Sequence, residues 1–390
     1  MNLLDCPTMT GARAQTPRIA DTARPMDRLF DRTFDRTCPP DALTVADAAG
    51  RAAAARDMGV EIEAAGRLHL GFLDPAATLG RRYGSIGLVI DDPVVRLRLR
   101  PAERDAVLLA PALAADEAAL AADGAADVCR LQTWLERLRA ASGLRTPVAV
   151  ELVTRLPAHA GFGSGTQLAL ALARGFALVH GLAVDTPTLA RWVGRGLRSG
   201  VGIAGFDQGG LLVDGGPAPD GRPAPLLARL DLPADWRVLV VGDPRLAGLS
   251  GQREVQAIGQ LPPMPAASAA EICHRVLMQL LPSAAQQDFP SFAEAITVIQ
   301  ARLGAHFAPA QAGSAYTSAA VGRLLEALRA EAGAGIGQSS WGPTGFAFFP
   351  DAVQARAALA AVEQAGRLDP ALRLDLVGAR NHGARWQPAG

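Results

Sequence analysis

Apolar and polar residues alternate over Val60-Glu61-Ile62-Glu63-Ala64, the mark of a half-buried strand, and ordered sequence begins there. Leu88-Val89-Ile90 reads as a short buried strand ending at Asp91-Asp92-Pro93. Val95, Leu97 and Leu99 set against Arg96, Arg98 and Arg100 predict a further strand with an arginine-rich outer face. The period turns helical over 112–141, where Trp134, Leu135 and Leu138 share a stripe and Gly143 supplies a stop. A strand over 148–156 runs into a glycine-rich loop, followed by a helix over 166–180 that Gly181 can end. Leu168 to Ala173 are apolar all round, so that helix should be buried. In the second half, strands over 236–242, 345–349 and 373–377 are interspersed with helices over 267–281, 291–303, 318–332 and 353–365. Such a mixture makes the chain α/β or α+β. Residues 1–55 carry Pro, Thr, Asp and Arg without a period and read as an irregular extension.

Composition narrows the chemistry. A chain of 390 residues, 49% of them apolar, is long enough for two domains with real cores. A formal net charge of zero and the lack of a basic stretch argue against nucleic acid as a partner. No apolar run approaches the length of a membrane span. Cys6, Cys38, Cys129 and Cys273 are scattered without a CxxC pair, which suits reduced thiols in a cytoplasmic protein. The chain contains no lysine, so a Schiff-base lysine, and with it pyridoxal phosphate, is excluded, as are a lysine base and a P-loop lysine. Any phosphate must be held by arginine, backbone N–H groups or a metal. No dinucleotide fingerprint is present, so neither a nicotinamide nor a flavin cofactor is expected.

The most informative stretch is Pro157 to Gln167. The first N–H groups of a buried helix need partners, and its dipole favours an anion there. Gly161, Gly163 and Gly165 allow close backbone approach, while His159, Ser164, Thr166 and Gln167 add polar groups, so the loop suits phosphate. A tight turn capped by its own Ser and Thr fits equally well. Arg67, His69, Asp74, Arg81, Arg82 and Tyr83 gather among glycines, as in a site for a phosphorylated sugar and a carboxylate, or in a solvated loop. Asp207 sits among glycines at 200–210, where a turn former is the plainer role. Ser339, Ser340 and Trp341 lie in another glycine-rich stretch, and Trp341 can stack on a ring or fill the core.

The run His159 to Leu170 resembles that of β-ribofuranosylaminobenzene 5′-phosphate synthases, within the GHMP kinase superfamily. The kinases themselves carry a serine where Gly165 stands. Arg67 to Asp74, Gly80 to Gly87 and Gln338 to Thr344 are similar to the same synthases, so the resemblance spans roughly residues 60 to 350. It implies an α+β, two-domain GHMP-kinase-like fold: an N-terminal split β-α-β domain over 56–225, a ferredoxin-like domain over 226–390, and a site between them. The implied reaction joins phosphoribosyl pyrophosphate to 4-aminobenzoate or 4-hydroxybenzoate, releasing CO2 and pyrophosphate, in tetrahydromethanopterin biosynthesis.

The resemblance further implies catalytic roles for Asp74, Arg81, His69 and Asp207. Mg²⁺ would be held by Asp74 and Asp207, with Asp91 and Asp92 behind them. Arg67, Tyr83, Ser339, Ser340, Trp341 and the glycine loop would bind substrate. On this reading Asp74→Asn and Arg81→Ala each lower turnover by about 10². An ATP-dependent small-molecule kinase of the same fold and a non-catalytic sugar-phosphate sensor are the rival readings. The expected partners are small molecules, and a homodimer is compatible with all three.

Overall fold

The computed structural model describes residues 58–389 except 115–117, 221, 247 and 249–258, together with 50, 54 and 55. The expected extension over 1–55, with Cys6 and Cys38, lies almost wholly outside the described residues.

Two long strands organise the chain. β1 (Val60–Asp74) and β2 (Tyr83–Pro101) pair antiparallel along nearly their whole length. β1 alternates buried and half-buried up to Glu63 and is then buried on both faces, because it passes from the edge of the core into its middle. Two irregularities in register, at Ala65/Arg67 and His69/Gly71, bracket Arg67 and His69. Residues two apart share a face, and bulges on both sides re-aim that pair together. The glycine-rich stretch over 66–87 is thus mostly strand. The two expected strands at 88–90 and 94–99 are one.

β3 (Ala106–Leu109) pairs in parallel with β4 (Val148–Thr154) through helix α1 (Ala118–Ser142). α2 (Ser164–Val179) packs on the same sheet, its residues 167–173 all buried as their composition demanded. Two short helices absent from the sequence reading follow, α3 (Thr186–Trp192) and α4 (Val201–Gln208). β5 (Leu211–Asp214) pairs with β2, and β6 (Leu226–Leu230) pairs with β5.

β7 (Arg237–Gly242) starts a smaller antiparallel sheet. A helical stretch begins with α5 (Ala266–Arg275), passes through a π turn at Val276–Leu280 and ends at Gln286. α6 (Phe289–Phe307), α7 (Ala319–Ala332), β8 (Gly335–Gln338), β9 (Thr344–Phe349), α8 (Ala352–Gln364) and β10 (Arg373–Gly378) complete this part. The strand order β10-β7-β9-β8 is the 4-1-3-2 arrangement of a ferredoxin-like βαββαβ unit. β11 (Arg385–Pro388) then returns to pair with β1 in the larger sheet, giving β11-β1-β2-β4-β3 with β5 and β6 attached. The expected division at 225/226 therefore does not coincide with the division between the sheets. One apolar cluster joins them: Leu68, Leu70, Ile86 and Leu88 of the first pack with Val238, Val240, Phe346 and Phe348 of the second.

Candidate active site

The centre of β1 holds two loops at once. The bulge at Ala65/Arg67 frees the Arg67 N–H to donate to the Phe162 carbonyl at 3.0 Å, which fixes the glycine loop. The His69 N–H donates to Ser339 Oγ at 3.0 Å, and that hydroxyl donates to the Gly161 carbonyl at 2.8 Å. The Ser340 N–H donates back to the His69 carbonyl at 3.3 Å. Ser339 is fully buried and acts as the tie between both glycine-rich stretches.

α2 starts at Gly163, in the left-handed region at φ 69°, and no side chain caps it. Ser164 and Thr166 do not turn back on the helix, so the self-capped turn is excluded. Gln167 is buried and donates to the Gly202 carbonyl at 3.1 Å, tying α2 to α4 and leaving the substrate side. A Cβ on Gly163 would lie 3.2 Å from the Arg67 side chain, and one on Gly165 3.4 Å from the Arg195 guanidinium. The glycines thus clear room for two guanidinium groups at the positive end of a helix. Cations placed there repel that end unless an anion lies between them.

Arg67, Thr166, Arg195, Arg198 and Ser199 line a cleft of about 210 Å³. Gly71, Gln300, Leu303, Phe307, Gln338 and Trp341 line an adjoining chamber of about 30 Å³. His69, Phe72 and Ser340 face both. Tyr83 stands behind Phe72, ring centroids 5.3 Å apart. His69 is 5% exposed and its Nε2 has no hydrogen-bond partner among the described residues. Burial first, then Arg67 and Arg198 alongside, hold its pKa well below 6.5, so the ring is neutral at pH 7.

The Gly194–Gly200 loop carries Arg195 and Arg198, which the sequence reading missed. Asp214 sets it in place. Its carboxylate, fully buried, accepts from the Gly200 and Val201 amides at 2.7 and 3.0 Å and from Ser199 Oγ at 3.2 Å. It also accepts from the Ser85 and Gly216 amides at 3.1 and 2.8 Å. Burial pushes its pKa up, against the pull of those donors. Asp214 thereby saturates the N-terminus of α4, whereas that of α2 stays available to a ligand. Arg195 lies 4.8 Å over the Trp134 ring, and among the described residues no carboxylate pairs with it. Burial, then Arg130 and Arg137, lower its pKa. An Asp in a V-D-G-G turn and an R-G-L-R loop carried too little pattern to be singled out.

Several expected site residues lie elsewhere. The Asp74 carboxylate accepts from the Ala76 and Thr78 amides at 3.1 and 2.7 Å and from the Thr78 hydroxyl at 2.7 Å, forming the turn after β1. Arg81 is exposed and donates to the Gly216 carbonyl at 2.8 Å, and Arg82 lies over the Tyr83 ring. Asp207 ends α4 and accepts from the Thr186 hydroxyl, roughly 7.5 Å along the helix from Gly202, which faces the cleft. His159 is exposed and lines neither cavity. Asp91 accepts from the Gly378 amide at 3.0 Å. Asp74 and Asp207 are not brought together, and no cluster of three or more potential metal ligands occurs among the described residues. No helix among them is long and apolar enough to cross a membrane. Cys129 and Cys273 are both free thiols.

Residues 130–212 match the family model described as GHMP kinases N terminal domain, and residues 280–368 match GHMP kinases C terminal. The β-ribofuranosylphenol 5′-phosphate synthase of Archaeoglobus fulgidus is 35% identical over 246 residues, which cover 60% of this chain and 73% of that one. Its namesake in Methanothermobacter thermautotrophicus is 28% identical over 337 residues, 82% of this chain and 95% of that one. Among solved structures, mevalonate diphosphate decarboxylase from Staphylococcus aureus aligns with a TM-score of 0.58 at 13% identity, over 84% of this chain and 97% of that one. Homoserine kinase from Cytophaga hutchinsonii aligns at 0.55 and 16%, over 84% and 96%. These last two show the shared fold.

Proposed function

The chain belongs to the β-ribofuranosylphenol 5′-phosphate synthase family, and on that premise we propose that it condenses phosphoribosyl pyrophosphate with a 4-substituted benzoate for a methanopterin-type carrier. The observation that carries this reading is the pair of adjoining cavities, one lined by arginines at the open end of α2, the other by aromatic rings. The relatives' names specify a phenol, so 4-hydroxybenzoate is the acceptor we place first and 4-aminobenzoate second.

In this proposal the diphosphate leaving group lies against Arg195, Arg198, Arg67 and the first amides of α2, where its developing charge is stabilised as the anomeric C–O bond breaks. The ring carbon that bears the carboxylate forms the new bond to the anomeric carbon. The electrons of the carbon–carboxylate bond then restore the aromatic ring as CO2 leaves. No protein nucleophile and no redox step are needed. Neutral His69, at the junction of the cavities, is placed to accept a hydrogen bond from one substrate or the other. The chamber as it stands encloses about 30 Å³. A benzene ring needs nearer 150 Å³, so the acceptor must move a wall to bind.

Mg²⁺ remains an expectation of diphosphate chemistry, but among the described residues the donor set does not form a protein cage for it. A cytoplasmic setting, and an N-terminal and a C-terminal GHMP-type half, are part of the same proposal.

The test is incubation of the purified protein with phosphoribosyl pyrophosphate and carboxyl-labelled 4-hydroxybenzoate or 4-aminobenzoate, without ATP. Release of label as CO2 with an equal amount of pyrophosphate is expected. An absolute requirement for ATP, or no release from either benzoate, overturns the reading.

A further inference from the structure

Trp341 is 2% exposed, and its indole N–H has no hydrogen-bond partner among the described residues. That group is a donor only, and buried tryptophans nearly always find it an acceptor, because an unmet buried donor is costly. Its ring forms a wall of the aromatic chamber, edge to face with Phe307 at 4.8 Å. The amide side chains of that chamber, Gln300, Gln311 and Gln338, are already committed. Gln300 donates to the Leu70 carbonyl at 2.6 Å and accepts from the Gln338 amide N–H at 2.8 Å. The Gln338 side chain donates to Gln311 at 2.8 Å and accepts from the Thr317 N–H at 2.6 Å. Among the lining side chains, the Trp341 N–H and His69 Nε2 are buried without a partner and the Ser340 hydroxyl makes no hydrogen bond to the described residues, beside Phe72, Leu303 and Phe307.

We propose that Trp341 determines acceptor specificity by donating its indole N–H to the oxygen at the para position of the benzoate. This deepens the proposed function and rests on it. A phenolic hydroxyl has lone pairs to accept from Trp341 and a proton to offer neutral His69. An aromatic amine has two N–H donors and a lone pair delocalised into the ring, so it leaves the Trp341 N–H unmet. Sites built to hydrogen-bond one substrate group reject the analogue that lacks it. As the ring carbon bonds to the anomeric carbon, electron density leaves the para oxygen, and with its proton passing to His69 that oxygen becomes a ketone-like acceptor that keeps the Trp341 hydrogen bond.

The test compares kcat/KM for 4-hydroxybenzoate and 4-aminobenzoate in wild type and Trp341→Phe, with saturating phosphoribosyl pyrophosphate. The inhibition constant of unsubstituted benzoate reports on packing. In wild type, 4-hydroxybenzoate should be preferred by about 10-fold or more, and Trp341→Phe should abolish most of that preference. The loss should fall on 4-hydroxybenzoate alone, with benzoate binding changed by less than about 2-fold, because the apolar contact of the ring is largely kept. An unchanged preference, or equal losses for both acceptors, overturns the inference while the proposed function stands. If wild type turns over neither acceptor, both fall. Should Trp341→Phe fail to fold, ¹⁵N-tryptophan-labelled wild type carries the test. One indole N–H resonance should move downfield with 4-hydroxybenzoate and not with benzoate, and no such shift refutes the contact.

Discussion

Arg195→Met separates a ligand-binding role from a structural one. Arg195 is held beside Arg130 and Arg137, which with burial disfavour its charge, and its compensation within the described residues is the Trp134 face at 4.8 Å. Removing the cation gives up a cation–π contact of about 0.5–1 kcal/mol. Methionine has similar reach and restores about 0.3–1.5 kcal/mol through sulfur against the ring, while the like-charge repulsion disappears. These terms offset to within about 1 kcal/mol, so the melting temperature should stay within about 4 °C of wild type. The bound diphosphate, by contrast, loses a charge-assisted hydrogen bond of about 1.5–3 kcal/mol, a rise of about 10- to 150-fold in the KM for phosphoribosyl pyrophosphate. Thermal unfolding and steady-state kinetics on the same preparation read both quantities. A melting temperature many degrees lower with an unchanged KM would refute the reasoning, since Arg195 would then be holding the fold and not the donor.

Other predictions follow from the same geometry. Asp214→Asn turns an N–H₂ toward at least two donors that now have an acceptor, so unfolding free energy should drop by about 2–5 kcal/mol, and hydrogen exchange in the 195–201 segment should accelerate. Wild-type protection in that segment would show that Asp214 does not organise it. His69 resists protonation in the folded state, whereas its unfolded form titrates near 6.5. Below that pH the unfolded chain binds a proton that the folded chain refuses, so stability should rise with pH up to about 6.5 and then cease to depend on His69. His69→Gln should remove that slope between pH 5 and 6.5 in urea titrations; an unaltered slope assigns it to other groups. Asp74→Asn and Arg81→Ala, placed outside both cavities, should lower kcat by less than about 3-fold, in place of the 10² expected of residues that touch the reacting groups. A larger loss in either variant, with unchanged stability, would return that residue to the site.

Much of this was legible from one dimension. The helix after the glycine loop was readable because Leu168 to Ala173 are apolar at every angle, and only burial tolerates that. Arg67, His69, Thr166, Ser340 and Trp341 stand out by local wording, and the fold brings them to two adjoining cavities. Asp74, Arg81 and Asp207 carried the same kind of wording and ended in a turn, on a carbonyl and at the far end of a helix. Nothing in a local pattern distinguishes an aspartate that caps a turn from one that meets a ligand, because both need the same short side chain in a glycine-rich setting.

The linear order of residues by itself determined the periodicities, the apolar helix and the lack of any lysine, which leaves arginine, backbone amides or a metal to hold any phosphate. The tertiary structure alone decided which arginines line the cleft. Arg195 and Arg198 reach the cleft because Asp214, across a strand and a helix, gathers five donors onto one buried carboxylate and sets the course of their loop. β11 reaches β1 from the far end of the chain by backbone pairing, for which side-chain pattern carries little signal. Periodicity records which face of an element is covered. It does not record what covers it, and a binding site is made of that second kind of information.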